Sequence, residues 1–386
     1  MADKTKIEWC DSTVNPIMGC GGCELYPKPG AILTAIDTEL KTRIEGWKKG
    51  LAREVFRELI DVAWQDLLEK IGEPLSGHTN EMTTTNIWHL RTQFADRVKN
   101  QFGGKLSFAA LWAVESQITC YAAKLHLNKG RSIVNPTRNV HAGHALTFET
   151  VTQFPGRVSD MADEVDLRGA DRPDKPWLNG LPRLVFVSDM GDALTRKTDF
   201  PFLQRELAAT QSENGLKHLW LWLTKRPGLM RLYADRVGGL PRNYCAMTTV
   251  TSMKTLHRVD ELRDVNAQCR GLSVEPLWSS VADEIDLRGI DWVIVGGESG
   301  KLGVVREFHV EWALELKQKC EQQGVAFFVK QLGKCPVLRG EPFRLNAPKV
   351  DDWTEWSDDL QTREVPEYFL YYRAAGVPSP SALFSC

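Results

Sequence analysis

Long apolar runs are missing from this 386-residue sequence. No stretch approaches the roughly 20 uninterrupted apolar residues that span a bilayer, and the opening MADKTKIEWCDSTVNP has no apolar export core. A cytoplasmic protein with no membrane partner is expected. Charge of one sign is missing too. With 48 Lys plus Arg against 50 Asp plus Glu the formal net charge is -2, so no global cationic field marks a nucleic-acid partner, although a local basic site is compatible with this balance. Neither the GxGxxG dinucleotide fingerprint nor a P-loop occurs, and no internal repeat or low-complexity tract is visible. The 42% hydrophobic and 25% charged composition is that of an ordinary globular chain.

What the sequence does contain, from Arg183 onward, is a series of short β-rich runs alternating with helical or loop stretches. They are LVFVSDMGD at 184–192, HLWLWLTKRP at 218–227, YCAMTTVTS at 244–252, RGLSVEPL at 270–277, DWVIVGGESG at 291–300 and VAFFVKQLG at 325–333. Each begins apolar or β-branched and ends in polar residues and turn formers, as a buried strand of a (βα) barrel does on entering a top-face loop. TKIEWCDSTVNP near the start and HALTFETV at 144–151 would bring the strand count to eight. Six strands in a partial barrel and an open doubly wound sheet also fit this periodicity; the barrel, complete or partial, is the α/β fold expected.

Between Cys23 and Cys120 the pattern changes. WKKGLAREVFRELIDVAWQDLLEKIG places Leu51, Val55, Leu59, Ala63, Leu67 and Ile71 at helical spacing. A Thr-rich break precedes a second helical stretch at 87–101, and a third begins after Gly103 and Gly104. The organisation expected is therefore a first barrel strand and cysteine loop at 1–23, a helical insertion at 24–119, the remainder of the barrel at 120–334 and a C-terminal extension at 335–386.

Nine cysteines in a chain without an export signal point to reduced thiols. Cys20 and Cys23 flank a Gly-Gly pair whose flexible backbone can wrap a metal, yet there is no second CxxC to complete a four-ligand zinc site. His141 and His144 form an isolated pair. A three-thiolate iron-sulfur cluster with one open iron needs only one more cysteine, and Cys120, at the start of a helix, is the best candidate. Cys10 lies within a candidate strand and reads as structural; Cys245, Cys269, Cys320 and Cys386 have no metal-like spacing and read as core or surface residues.

Barrel strand ends supply the other candidates. Asp189 and Asp192 suit a ribose hydroxyl or a cation, or else cap the following helix. Thr224, Lys225 and Arg226 can hold a carboxylate or phosphate. Glu275 and Glu298 fall in barrel mouths where a carboxylate needs a partner such as Lys225, Arg226 or Lys330; an internal salt-bridge network is the competing reading. Gly296 and Gly297, with Glu298 and Ser299, permit close backbone approach to a ligand. Trp220 and Trp222 alternate onto one strand face and suit packing, and Trp353 and Trp356 are aromatic anchors.

In order along the chain, IEWCDSTVNPIMGC, CYAAKL, FVSDMGDAL, LWLTKRPGLM, LSVEPL, DWVIVGGESG, FFVKQLG and WTEWSDDLQTREVP resemble a family of uncharacterised phage and bacterial proteins. That family is known for a three-cysteine motif and is similar to the radical S-adenosylmethionine (SAM) enzymes, including spore photoproduct lyase. The resemblance implies a radical-SAM-like (βα) barrel with a [4Fe-4S] cluster in the loop after the first strand, ligated by Cys20, Cys23 and Cys120. The third cysteine departs from the usual compact motif, because it lies beyond the insertion. On this resemblance Lys225, Arg226 and Glu275 are expected as catalytic residues. Asp189, Asp192, Thr224, Gly296, Gly297, Glu298, Ser299 and Lys330 are expected to bind SAM. A co-encoded partner protein and a nucleic-acid or nucleotide substrate are also implied. The alternative from another class is a non-catalytic nucleic-acid- or partner-binding protein with structural zinc.

Overall fold

Runs such as LVFV, LWLWLT and WVIVG combine β-branched, aromatic and leucine side chains with turn formers behind them, and they fold as strands. A computed structural model describes residues 4–27, 30–32, 34–35, 38, 87–88, 95–96, 99–100, 114–128, 145, 148–300, 304–343 and 352–374. The chain divides into two compact units, one of residues 1–18 with 153–386 and one of residues 19–152.

In the first unit seven strands form one parallel sheet: β1 (Ser12–Val14), β2 (Leu184–Val187), β3 (Leu219–Thr224), β4 (Tyr244–Thr249), β5 (Cys269–Val274), β6 (Trp292–Gly296) and β7 (Ala326–Gln331). Their spatial order follows the chain without reversal. A doubly wound sheet reverses at a switch point, so that alternative is excluded, and the curled sheet is a half-barrel. All six runs after Arg183 contribute strands. The expected eight are not reached, because none of the described residues of 144–151 is in a strand. The backbone there bends, and Phe148 gives its carbonyl to the Cys20 amide at 2.8 Å instead of to a ladder.

Helices lie between the strands: α1 (Tyr121–Asn128) in the second unit, then α2 (Arg157–Ala162), α3 (Phe200–Leu207), α4 (Pro227–Val237), α5 (His257–Arg263), α6 (Val310–Gln323) and α7 (Glu367–Ala374). Pro227 opens α4, where its missing N–H costs nothing, and Gly238 ends it at φ 84°, the left-handed cap conformation. No helix among the described residues is long and apolar enough to cross a membrane.

Period-two alternation assigns the two sheet faces. Val187, Trp220, Trp222 and Tyr244 turn toward the helices, where the Trp222 ring meets Tyr233 of α4 edge-on at 5.2 Å. The opposite face carries Phe186, Leu221, Cys245, Cys269, Trp292 and Phe328, which with Trp9 and Phe369 form the interior core. Cys245 and Cys269 are register partners with Sγ atoms 3.2 Å apart, and burial pushes the Cys269 thiol well up, as for inert core cysteines. Cys10 is fully buried in the same core.

A half-barrel has two edges. Along β7 the segment 362–364 adds an antiparallel contact, with the Val329 amide on the Thr362 carbonyl (2.8 Å) and the Glu364 amide on the Phe327 carbonyl (3.0 Å). Arg363 lies over the Trp177 ring at 4.0 Å and the Trp353 ring at 4.8 Å, while Trp177 donates to the Glu8 carbonyl beside β1 and packs edge-on against Phe328 of β7. At the other edge, directly before β1, Asp11 accepts from Arg172 (2.8 and 3.3 Å) and from the Leu184 amide (2.9 Å). The helix expected at 47–72, most of the stretch expected at 87–101, residues 105–113 of the stretch expected after Gly104, and His141, His144 and Cys386, lie outside the described residues; from 114 on that third stretch is helical at Val114 and Glu115, turns at 116–117 and becomes helical again only in α1.

The Asp11–Arg172 pair is buried, each side chain 7% exposed. Removing one partner of such a pair strands the other, at a cost of about 3–5 kcal/mol. Arg172→Met should lower stability by that amount in urea unfolding. Arg288→Ala, which removes a solvent-exposed pair with Asp286, should change nothing measurable.

Candidate functional site

In the second unit the cysteine loop is built by backbone contacts. Gly19 adopts φ +92°, and a Cβ there would meet the Thr150 and Phe148 carbonyl oxygens at 2.7 and 2.9 Å, so only glycine fits. Cys23 and Tyr26 exchange both backbone hydrogen bonds, at 3.0 and 3.1 Å. The chain then returns, and the amides of Thr119 and Cys120 both donate to the Leu25 carbonyl, at 3.0 and 2.9 Å. Tyr26 packs edge-on against Phe148 and donates from its hydroxyl to Glu149 at 2.7 Å. Cys20 is buried; Cys23 and Cys120 are half-buried.

Three thiols carried by two adjoining backbone segments match a three-thiolate cluster in donor type and chain path. Among the described residues no group of three His, Cys, Asp or Glu is placed to hold a metal ion.

In the first unit the expected residues sort into separate pairings at the C-terminal ends of the strands. Asp192, after β2, accepts from Thr224 Oγ1 (2.9 Å), the Leu194 and Lys225 amides (3.0 and 3.1 Å) and Arg226 Nη1 (2.7 Å). Five contacts from four donor groups on a residue only 4% exposed make it a tie between the loops after β2 and β3. Asp189 accepts from the Asn15 amide nitrogen at 2.5 Å, and Asn15 Oδ1 accepts from the Met190 amide at 2.8 Å. Ser188, directly before Asp189, has φ 77°, a strained value for a residue with a side chain.

Glu298 accepts from Trp278 Nε1 at 3.3 Å and from Arg306 Nη1 at 3.1 Å, and the Arg306 guanidinium lies 4.2 Å over the Trp278 ring. The neighbouring glycines serve this packing. A Cβ on Gly297 would meet Gly333 backbone at 2.6 Å, and one on Gly296 would meet Glu275 Oε1 at 2.9 Å. On the side where a Cβ would project, both glycines are in close contact with the protein itself. Ser299 is exposed.

Glu275 and Lys330 meet across Gly296, with Nζ 3.0 Å from Oε1, and Ser273 Oγ donates to Oε2 at 3.0 Å. Glu8 stands within electrostatic reach of both. Burial opposes the Lys330 charge, but the carboxylates of Glu275 and Glu8 more than offset it and raise its pKa. Burial also raises the Glu8 carboxyl above its ordinary value, with Lys330 opposing and Glu275 adding to the shift.

The structure therefore joins Asp192 to Thr224 and Arg226, and Glu275 to Lys330, and holds Asp189 and Glu298 in pairings of their own. Arg226, Arg306 and Lys330 each face a carboxylate, so their charge is engaged locally rather than offered to a phosphate backbone. Glu8, Asn15, Ser273 and Arg306 were not among the expected residues. Asn15 follows β1 and Ser273 lies near the end of β5, so the strand-end rule that flagged the others also covers these two. Glu8 precedes its strand, and nothing local marks it.

A sequence-family model described as "Protein of unknown function (DUF5131)" matches residues 116–352. Comparison with curated proteins and with solved structures gave no match.

A carboxyl whose native pKa exceeds its unfolded value binds more protons when folded, so its contribution to stability is present below the unfolded value and is lost as pH rises through the native one. Glu8→Gln removes that loss. Its melting temperature should exceed the parent's at about pH 8, and the difference should shrink toward about pH 4. A variant less stable than the parent at the higher pH would show that ionised Glu8 is net stabilising.

Proposed function

The chain belongs to the DUF5131 family, and from that premise we propose that this protein is an iron-sulfur enzyme of the radical-SAM type. The observation that carries the reading is the closure of the detour between Cys23 and Cys120, where two amides of the returning chain share the Leu25 carbonyl beside the cysteine loop. A half-barrel of parallel strands with charged residues at their C-terminal ends supports it, since such ends are where βα folds build sites. The ordered motif blocks, which resemble a three-cysteine family, support it as well.

In this reading Cys20, Cys23 and Cys120 hold a [4Fe-4S] cluster, and the glycines between the first two let the loop wrap it. Once bound, the cluster supplies the electron for reductive cleavage of the SAM sulfonium. The protein's own residues bind and orient. Glu275 with Lys330, and Glu298 with Arg306, offer paired charges of both signs to a polar ligand, and the Asp192 tie fixes the loops that carry Thr224, Lys225 and Arg226.

Anaerobic reconstitution followed by iron, sulfide and zinc analysis tests the proposal. Cys20→Ala, Cys23→Ala and Cys120→Ala should each abolish iron loading, because three ligands leave no redundancy. Cys245→Ala, in the interior core, should load as the parent does. Zinc without iron in the parent, full iron in Cys120→Ala, or no SAM binding by the loaded parent would each reject the assignment.

A further inference from the structure

Two thiols meet in the interior core, and neither has a part in the iron-sulfur reading. Cys245 of β4 and Cys269 of β5 are register partners on adjacent parallel strands, both fully buried, and the Cys269 thiol donates to the Cys245 sulfur at 3.2 Å. The next register pair on this face is Met247 with Gly271. A Cβ on Gly271 would lie 3.2 Å from Met247 Cε and 3.5 Å from Cys245 Sγ, so the Cys245 sulfur leans across to β5 with the Met247 side chain beside it.

Backbone geometry suits a bond between the two sulfurs. Neighbouring strands run about 4.8 Å apart, inside the Cα separation of roughly 4.4–6.8 Å that disulfides span. The sulfurs have to close from 3.2 Å to about 2.05 Å, which small rotations of both side chains accomplish. Burial pushes the Cys269 thiol well up; this slows a first oxidation without changing what the oxidised sulfur then meets.

We propose that Cys245 and Cys269 form a redox-sensitive lock, closed by hydrogen peroxide to a disulfide that joins the central strand of the sheet to its neighbour. One sulfur gives an electron pair to the peroxide O–O bond and becomes a sulfenic acid as the first water leaves. The second sulfur displaces hydroxide from the sulfenic sulfur, and its own proton joins that hydroxide to leave as the second water. Two thiols thus lose two electrons, and one peroxide is reduced to two waters. The bond closes the chain between 245 and 269 into a loop, which restricts the unfolded chain and makes the locked protein the more stable form. The lock goes beyond the iron-sulfur reading, because neither cysteine is a cluster ligand there.

Folded full-length protein, purified without added iron, is treated with hydrogen peroxide in the presence of a chelator, then denatured, alkylated and digested with trypsin. Lys254, Arg258 and Arg263 lie between the two cysteines, so the lock is read as two linked peptides that separate on reduction. Linkage is expected in the folded protein, together with a melting temperature raised by at least about 3 °C, a rise that Cys245→Val treated alike should not show. Should Cys245→Val fail to fold, the peptide map of the parent decides. Both cysteines recovered alkylated from the oxidised folded protein, linkage formed only after unfolding in urea, a linked protein no more stable than the reduced one, or an equal rise in folded Cys245→Val would overturn the proposal. Iron loading through Cys20, Cys23 and Cys120 is measured separately, so failure of either assignment leaves the other standing.

Discussion

A parallel sheet that curls without closing must settle its two edges, and here the Arg363 guanidinium does so. It lies against the Trp177 and Trp353 rings, which themselves meet edge-on at 5.4 Å, with its N–H groups on the carbonyls of β7. Trp177 in turn holds the Glu8 carbonyl beside β1 and packs on Phe328 of β7, so one aromatic stack spans the seam. Cation–π contacts that exclude water are worth more than exposed ones, about 2 kcal/mol against about half to one. The positions of the first and last strands follow from this stack, and with them the approach of Glu8 to Lys330. A strand edge covered in this way is also no longer a template for pairing with another chain.

The second organising feature is that charge at the strand ends comes in compensated groups. Asp192 with Arg226, Glu275 with Lys330 and Glu298 with Arg306 each place opposite charges within 3.1 Å. An unpaired carboxylate at such depth would shed its charge or cost several kcal/mol, whereas a paired one can stay ionised. At Glu8 burial outweighs the nearby Lys330 charge and raises the carboxyl above its ordinary value.

Much of this architecture was legible in the sequence, because it is local. Each apolar run after Arg183 became a strand, and the alternation in LWLWLT gave the face shared by Trp220 and Trp222. The run at 144–151 misled because HALTFETV has strand composition, while its Phe148 carbonyl is claimed by the Cys20 amide and its ring by Tyr26. Periodicity sees side chains and not where backbone groups find partners. The glycines at 296 and 297 were legible as sites of close approach, but what approaches them, Glu275 and the Gly333 backbone, is set by strands adjacent in space. Glu8 was invisible for the same reason: its neighbours Glu275 and Lys330 are more than 260 residues away in sequence.

The long separation of Cys23 from Cys120 bears on the proposed cluster through chain entropy. Closing a flexible loop costs only about 0.6 kcal/mol more for each doubling of its length, so extending a connection from about ten to about a hundred residues adds roughly 2 kcal/mol. Two backbone hydrogen bonds onto Leu25, each worth about 1 kcal/mol net, offset a cost of that size before any packing by the insertion is counted. An insertion with internal structure reduces it further, since its ends are then held rather than free. A cysteine motif split by about a hundred residues is therefore thermodynamically close to a compact one. What the split demands instead is geometric: the returning strand must meet the loop at a fixed backbone position, and the shared Leu25 carbonyl provides that position.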